Sequence, residues 1–194
     1  MATWRRNHPG WAYKLWDDDA IAAFGLVNMG LYQAARGIVS ADAVGQFRAD
    51  IARYEILHRC GGIYADADTV CHRPIDELIE GHATFAAAED DNWVSNTYMG
   101  CTPGHRIMER IISGLPANVV VRRGQRANKL SGPQYITPIW RKHNGFVADH
   151  RLFFPYSYSH VKNGTIPEGF GDAIATHEWL HTRQVLRARG RQDV

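Results

Sequence analysis

Cysteine is scarce in this 194-residue chain: Cys60, Cys71 and Cys101 are an odd number without regular spacing. That argues against a disulfide framework and for free thiols in a reducing, cytoplasmic setting. Long apolar runs are lacking too. No stretch approaches ~18 uninterrupted apolar residues, so no transmembrane helix is expected, and the opening nine residues have no apolar signal core. Neither sign of charge dominates. The 22 Lys and Arg face 20 Asp and Glu, a balance too even to argue for nucleic acid or an anionic membrane as partner. Repeats, low-complexity tracts and interdomain linkers are absent, so residues 1–194 read as a single domain, long enough to bury a sizeable core.

What is present is an alternation of short strands and helices. Asp17-Asp18-Asp19 looks like the cap of a helix through Ala22, Leu26 and Met29. Ser40 or Asp42 precedes a longer helix whose apolar positions Val44, Phe47, Ile51, Tyr54 and Leu57 recur at three- and four-residue steps, and Cys60-Gly61-Gly62 stops it. Strands are expected at Ile63–Ala65, Thr84–Ala88, Thr97–Met99 and 151–156, and a short one at Tyr13–Trp16. Further helices are expected at Pro74–Ile79, 104–115, from Pro133 to Trp140, and over 172–189. The sum is an α/β fold.

The densest chemistry lies between residues 50 and 68. An apolar strand delivers Asp66 and Asp68, two carboxylates one residue apart, to its C-terminal end, where ligands bind in open α/β sheets. Carboxylate oxygens suit hard cations such as Mn2+ or Mg2+, and a cation there would neutralise charge on a departing diphosphate. Asp50 and Arg53, three residues apart, share a helix face. They read either as a surface ion pair of little worth or as a ligand pair, with Arg53 on a phosphate and Asp50 on a sugar hydroxyl.

These residues carry a resemblance. Asp50-x-x-Arg53-Tyr54 followed by Gly61-Gly62-Ile63-Tyr64-x-Asp66-x-Asp68 resembles the glycosyltransferase family with the DXD sugar-binding region, which includes initiating α-1,6-mannosyltransferases and has the clostridial glucosylating toxins among its relatives. His8-Pro9-Gly10-Trp11 through Leu15-Trp16, Ser95-Asn96, Thr102-Pro103-Gly104-His105, Gly132-Pro133, Phe154-Pro155-Tyr156 and Ala175-Thr176-His177-Glu178-Trp179 follow in the family's order. The resemblance implies a GT-A-like fold with a mixed central sheet flanked by helices. It also implies a UDP- or GDP-sugar donor, Mn2+ or Mg2+, and retaining transfer of a hexose to a glycan or protein acceptor without an obvious protein nucleophile. By it Asp50, Arg53 and Tyr64 contact the donor, Asp66 holds sugar or ribose, Asp68 and His177 hold the metal, and Asn96 bonds the transferred sugar or acceptor. The family's usual opening strand has no counterpart here, so the expected sheet lacks it unless a partner subunit supplies it.

Other readings compete. His177-Glu178-x-x-His181 matches the zinc pattern of metallopeptidases, which needs a helix to bring the two histidines to one face. A sugar-nucleotide or carbohydrate binder without turnover would keep the same residues. His58, Cys60, Cys71 and His72 could form a zinc cluster, although paired short spacings are missing. Trp4 is the aromatic most available to stack on a base. Arg122, Arg123, Arg126 and Lys129 read as a solvated loop or as a mobile one closing over donor phosphates.

Overall fold

The computed structural model describes residues 1–180. The chain opens in a short helix, α1 (Ala2–Asn7), and reaches α2 (Asp18–Phe24) through irregular backbone. Asp17 caps α2 by accepting the Ala20 N–H at 2.8 Å. Gly25, at φ 68°, ends that helix, so the expected run to Met29 becomes two helices, with α3 (Met29–Ala34) beginning after a break. Two 3-10 turns (Ala35–Gly37 and Ala41–Ala43) lead into α4 (Val44–Cys60).

Helix α4 is the centre of the molecule. Residues Asp50 to Leu57 are all buried, including the charged Asp50, Arg53 and Glu55. A helix buried on every side can hold charges only if each finds partners. Glu55 finds the Val27 N–H and both the backbone and side-chain N–H groups of Asn28. Gly61 ends α4 at φ 69°, and a side chain there would also collide with the Pro103 ring, its Cβ 2.6 Å from Cδ.

Strand β1 (Gly62–Ala65) follows, then β2 (Thr69–Cys71), α5 (Asp76–Ile79), β3 (Thr84–Ala88) and β4 (Val94–Cys101). Helix α6 (Arg106–Val121) runs past the expected end at 115. Pro116, inside it, cannot donate to the Ile112 carbonyl, and Asn28 Nδ2 takes that acceptor instead at 3.3 Å. Then come α7 (Ala127–Leu130), α8 (Pro133–Lys142), β5 (Val147–Ala148), α9 (Tyr158–Asn163) and β6 (Ala175–His177).

The main sheet is mixed, in the order β1-β4-β3-β5: β4 is antiparallel to both neighbours and β5 is parallel to β3. Side chains alternate between its faces. Ala86 and Met99 join the core under α4, α6 and α8, while Phe85, Ala87 and Tyr98 face a second core with Trp4, Phe153 and Phe154. Both faces are thus covered. A separate antiparallel pair, β2-β6, stands beside it.

Three expectations are corrected. Tyr13–Trp16 forms no strand; the Tyr13 hydroxyl bonds the Trp4 and His8 carbonyls and no sheet offers it a partner. Residues 151–156 are not a strand either. The Asp149 carboxylate accepts the Arg151 N–H and bends the chain into a 3-10 turn (His150–Leu152), and Val147–Ala148 has already taken the sheet edge. Within the expected 172–189 helix, Ala175–His177 is instead β6, drawn into extended form by pairing with β2; Leu180 is helical, and residues 181–189 lie outside the described part.

Candidate functional site

The acidic pair sits where β1 leaves the sheet. Asp66 still donates its N–H to the Thr97 carbonyl at 3.1 Å. The chain then turns, and the turn is braced from below. Thr69 Oγ1 donates to the Asp66 carbonyl at 2.7 Å, and Trp4 Nε1 donates to Thr69 Oγ1 at 3.0 Å. Trp4 is therefore buried structure under the turn, not an aromatic free to stack on a base.

Pairing of β2 with β6 sets Thr69 opposite His177 and brings the two ends of the site together. His177 Nε2 lies 3.1 Å from Asp68 Oδ1. The Asp68 carbonyl accepts the Glu178 N–H at 2.8 Å, and its Oδ2 accepts the Leu180 N–H at 3.1 Å. Asp66, Asp68 and His177 each offer a ligand atom within 4.8 Å of the others. Two carboxylates and one imidazole suit Mn2+ or Mg2+ and tolerate zinc, and an imidazole–carboxylate contact is natural for two ligands of one cation. The residues present fit a divalent metal.

Beneath this cluster lies a buried polar network. Arg53 Nη2 is 3.3 Å from Asp50 Oδ1 and 3.2 Å from Asp66 Oδ1. Its Nη1 donates to the Asn96 carbonyl, and its guanidinium lies over the Tyr64 ring, 4.4 Å from the centroid. The Tyr64 hydroxyl donates to Asp66 Oδ1 at 2.7 Å. Asp50 also accepts from Asn96 Nδ2 (2.8 Å) and from the Ser131 hydroxyl (2.6 Å). Tyr54 closes the loop, accepting from Asn96 Nδ2 at 2.9 Å and donating to the Ser131 carbonyl at 2.6 Å.

Electrostatics follow from burial. Loss of water raises the Asp50 pKa to about 6, against the pull of Arg53, Ser131 and Asn96. Burial also opposes the charge on Arg53, but Asp66, Tyr64 and Asp50 more than offset it, so the guanidinium stays protonated. For Asp68 burial again works against the charge, yet the hydrogen bond and charge of His177 and the Leu180 N–H prevail and hold its pKa below the ordinary value. Glu89 follows β3 and is partly buried. Burial and Asp90 raise its pKa, and His177 is near enough to oppose them.

Among the described residues, the structure brings Asp66, Asp68 and His177 together. Asp50, Arg53, Tyr64 and Asn96 are gathered directly below. They form no surface ion pair: Asp50 is 1% and Arg53 3% exposed, and their polar groups are engaged with one another. Sequence reasoning missed Ser131, which no motif flags, and Tyr98, whose Oη is buried without a partner among the described residues, as are Nε1 of the motif residue Trp179 and His177 Nδ1. The Trp179 ring stands edge-on to His177 with centroids 4.3 Å apart. The first residues of the metallopeptidase pattern, His177 to Trp179, are not helical. His177 ends a strand and Trp179 has φ 52°, whereas that pattern requires helical backbone from its first histidine; His181 lies outside the described residues. Nor do His58, Cys60, Cys71 and His72 assemble into a metal cluster among those residues.

Residues 1–86 match the family described as "Glycosyltransferase sugar-binding region containing DXD motif". Inositol phosphoceramide mannosyltransferase 3 of Schizosaccharomyces pombe is 29% identical over 109 residues, 56% of this chain and 30% of that protein. Inositol phosphoceramide mannosyltransferase 1 of the same organism is 31% identical over 114 residues, 57% of this chain and 35% of that protein. The alpha-1,4-N-acetylglucosaminyltransferase of Homo sapiens is 29% identical over 160 residues, 72% of this chain and 44% of that protein. The chain thus spans less than half the length of these relatives. Among solved structures, the PaToxG glycosyltransferase superposes with a TM-score of 0.50 at 16% identity, covering 88% of this chain and 53% of that one. The fold is GT-A-like.

Proposed function

We propose that this chain, whose residues 1–86 match a DXD-containing glycosyltransferase sugar-binding region, transfers a hexose from a nucleotide-diphosphate sugar to an acceptor hydroxyl. In this reading configuration is retained and a divalent cation assists. The observation that carries it is the meeting of Asp66 and Asp68 with His177 across the β2-β6 pair, ligand atoms within 4.8 Å.

Asp68 and His177 would hold the cation, with Asp66 beside them. Bound there, a divalent cation supplies charge neutralisation for a departing diphosphate. Arg53 and the Tyr64 hydroxyl fix the orientation of Asp66, leaving its outer oxygen for a sugar or ribose hydroxyl. Asp50, Asn96, Ser131 and Tyr54 hold Arg53 rigid from behind, the preorganisation that keeps a site's dipoles aimed before the substrate arrives. Glu89 has no hydrogen bond to its carboxylate among the described residues and lies close enough to feel His177; we assign it to the acceptor hydroxyl. During transfer the bond from the anomeric carbon to the phosphate oxygen breaks, that to the acceptor oxygen forms on the same face, and the acceptor proton passes to the leaving phosphate. The names of two relatives add a lipid-linked acceptor to the glycan and protein acceptors considered.

The test is a screen of UDP- and GDP-sugars with Mn2+, scoring nucleoside diphosphate release by wild type, Asp68→Ala and His177→Ala. Turnover with one donor, abolished in both variants, supports the reading. Stabilisation by nucleoside diphosphate and Mn2+ without turnover of any donor would leave a sugar-nucleotide binder. Stoichiometric zinc without any nucleotide effect would revive the peptidase.

A further inference from the structure

The near-neutral charge of the whole chain conceals a segregation. Of its 22 Lys and Arg and 20 Asp and Glu, residues 110–148 hold seven of the first and none of the second. Four of the seven, Arg122, Arg123, Arg126 and Lys129, lie at the end of α6 and in the turn to α7, and all are exposed. Among the described residues none of the four has an acidic partner within ion-pair distance. Arg122 Nε donates to Asn118 Oδ1 and Lys129 Nζ to Gln125 Oε1, both neutral.

Beside these cations two branched apolar side chains stand in water. Val120 is 75% and Val121 83% exposed. They are consecutive, they end the same helix, and they adjoin Arg122 and Arg123 in sequence. Exposed aliphatic carbon framed by unpaired cations is the pattern of a surface that meets the headgroup boundary of an anionic bilayer, carbon entering the acyl edge and cations meeting lipid phosphates. A nucleic-acid surface would favour aromatic rings for stacking, and residues 117–131 contain none. A clamp for soluble phosphates would have no use for the valines.

The patch is also tied to the site. Asn118 Nδ2 donates to the Lys129 and Leu130 carbonyls at 3.0 and 2.8 Å, closing the turn on the helix. Ser131, two residues beyond Lys129, donates to Asp50 Oδ2 in the network under Asp66. A surface seated here fixes the orientation of the site relative to the bilayer.

We propose that the α6–α7 turn docks this protein peripherally on anionic lipid, with Val120 and Val121 inserted and Arg122, Arg123, Arg126 and Lys129 on the headgroups. The proposal does not depend on glycosyl transfer. Its test is sedimentation with vesicles of phosphatidylcholine alone or mixed with phosphatidylserine, which needs no turnover. Binding is expected only with phosphatidylserine. At roughly fivefold per cation, Arg122→Gln with Arg123→Gln should weaken it about 25-fold. Val120→Ser with Val121→Ser should weaken it several-fold even at low salt, while circular dichroism of both double variants matches wild type. Absence of binding to either vesicle overturns the proposal. So does binding that ignores the valine changes and is matched by duplex DNA, which would mark a general polyanion surface.

Discussion

Replacing Asp50 by Asn isolates the energetic consequence of burying a carboxylate beneath the site. The side chain is 1% exposed and its pKa is raised to about 6, from an ordinary 3.8. Below about pH 4 folded and unfolded chains both carry the proton. Between about 4 and 6 the unfolded chain releases it while the folded chain keeps it, so the native state binds more protons and stability falls as pH rises. Above about 6 both are ionised and the cost is fully present. At about 1.4 kcal/mol per pKa unit, that cost is about 3 kcal/mol. Asn preserves the shape. Its carbonyl still accepts from Asn96, and its amide can donate to Ser131 Oγ, whose proton has the Ala127 carbonyl as an alternative acceptor at 3.4 Å. Urea unfolding followed by tryptophan fluorescence, at pH steps from 4 to 7, measures both proteins. Other carboxylates titrate in each and largely cancel, so the stability of wild type relative to the variant should fall by about 3 kcal/mol across the range. Parallel profiles would refute the reasoning and mean that Arg53, Ser131 and Asn96 compensate the burial in full.

Arg53→Met should cost about 3–5 kcal/mol, because it strands Asp50 in the core without its counter-charge; a loss under about 1 kcal/mol in the same unfolding assay would show that the guanidinium is dispensable. Trp4→Phe keeps a ring in the core but removes the donor to Thr69. It should cost about 1–2 kcal/mol and speed hydrogen exchange at the Asp66 amide, whereas unchanged exchange there would separate Trp4 from the turn. Glu89→Gln should lower transfer about tenfold, the loss of one charge-assisted hydrogen bond that orients the acceptor hydroxyl, while stabilisation by Mn2+ and nucleoside diphosphate is retained; a change under about threefold would remove Glu89 from the reaction.

Local patterns that repeat within a few residues were legible in the chain itself. The three- and four-residue rhythm of Val44 to Leu57 specifies a helix, Gly61-Gly62 ends it, and Ile63 to Ala65 is a strand, because propensity and turn chemistry act over neighbours. The spacing of Asp50, Arg53, Asp66 and Asp68 likewise marks them as a concentration of charge on adjoining elements. Tertiary structure decided the rest. Whether Asp50 and Arg53 face water or core is invisible to their spacing, and the sheet that covers α4 settled it. Residues 175–177 carry no strand signal strong enough to outweigh a helical reading, yet β2 offers them a row of backbone partners, and that pairing made them extended. Ser131 belongs to no motif, and the fold alone brings it to Asp50. Sequence determined which side chains were available for the chemistry; long-range backbone pairing and burial decided which of them meet, because contacts between Asp68 and His177, more than a hundred residues apart, have no local code.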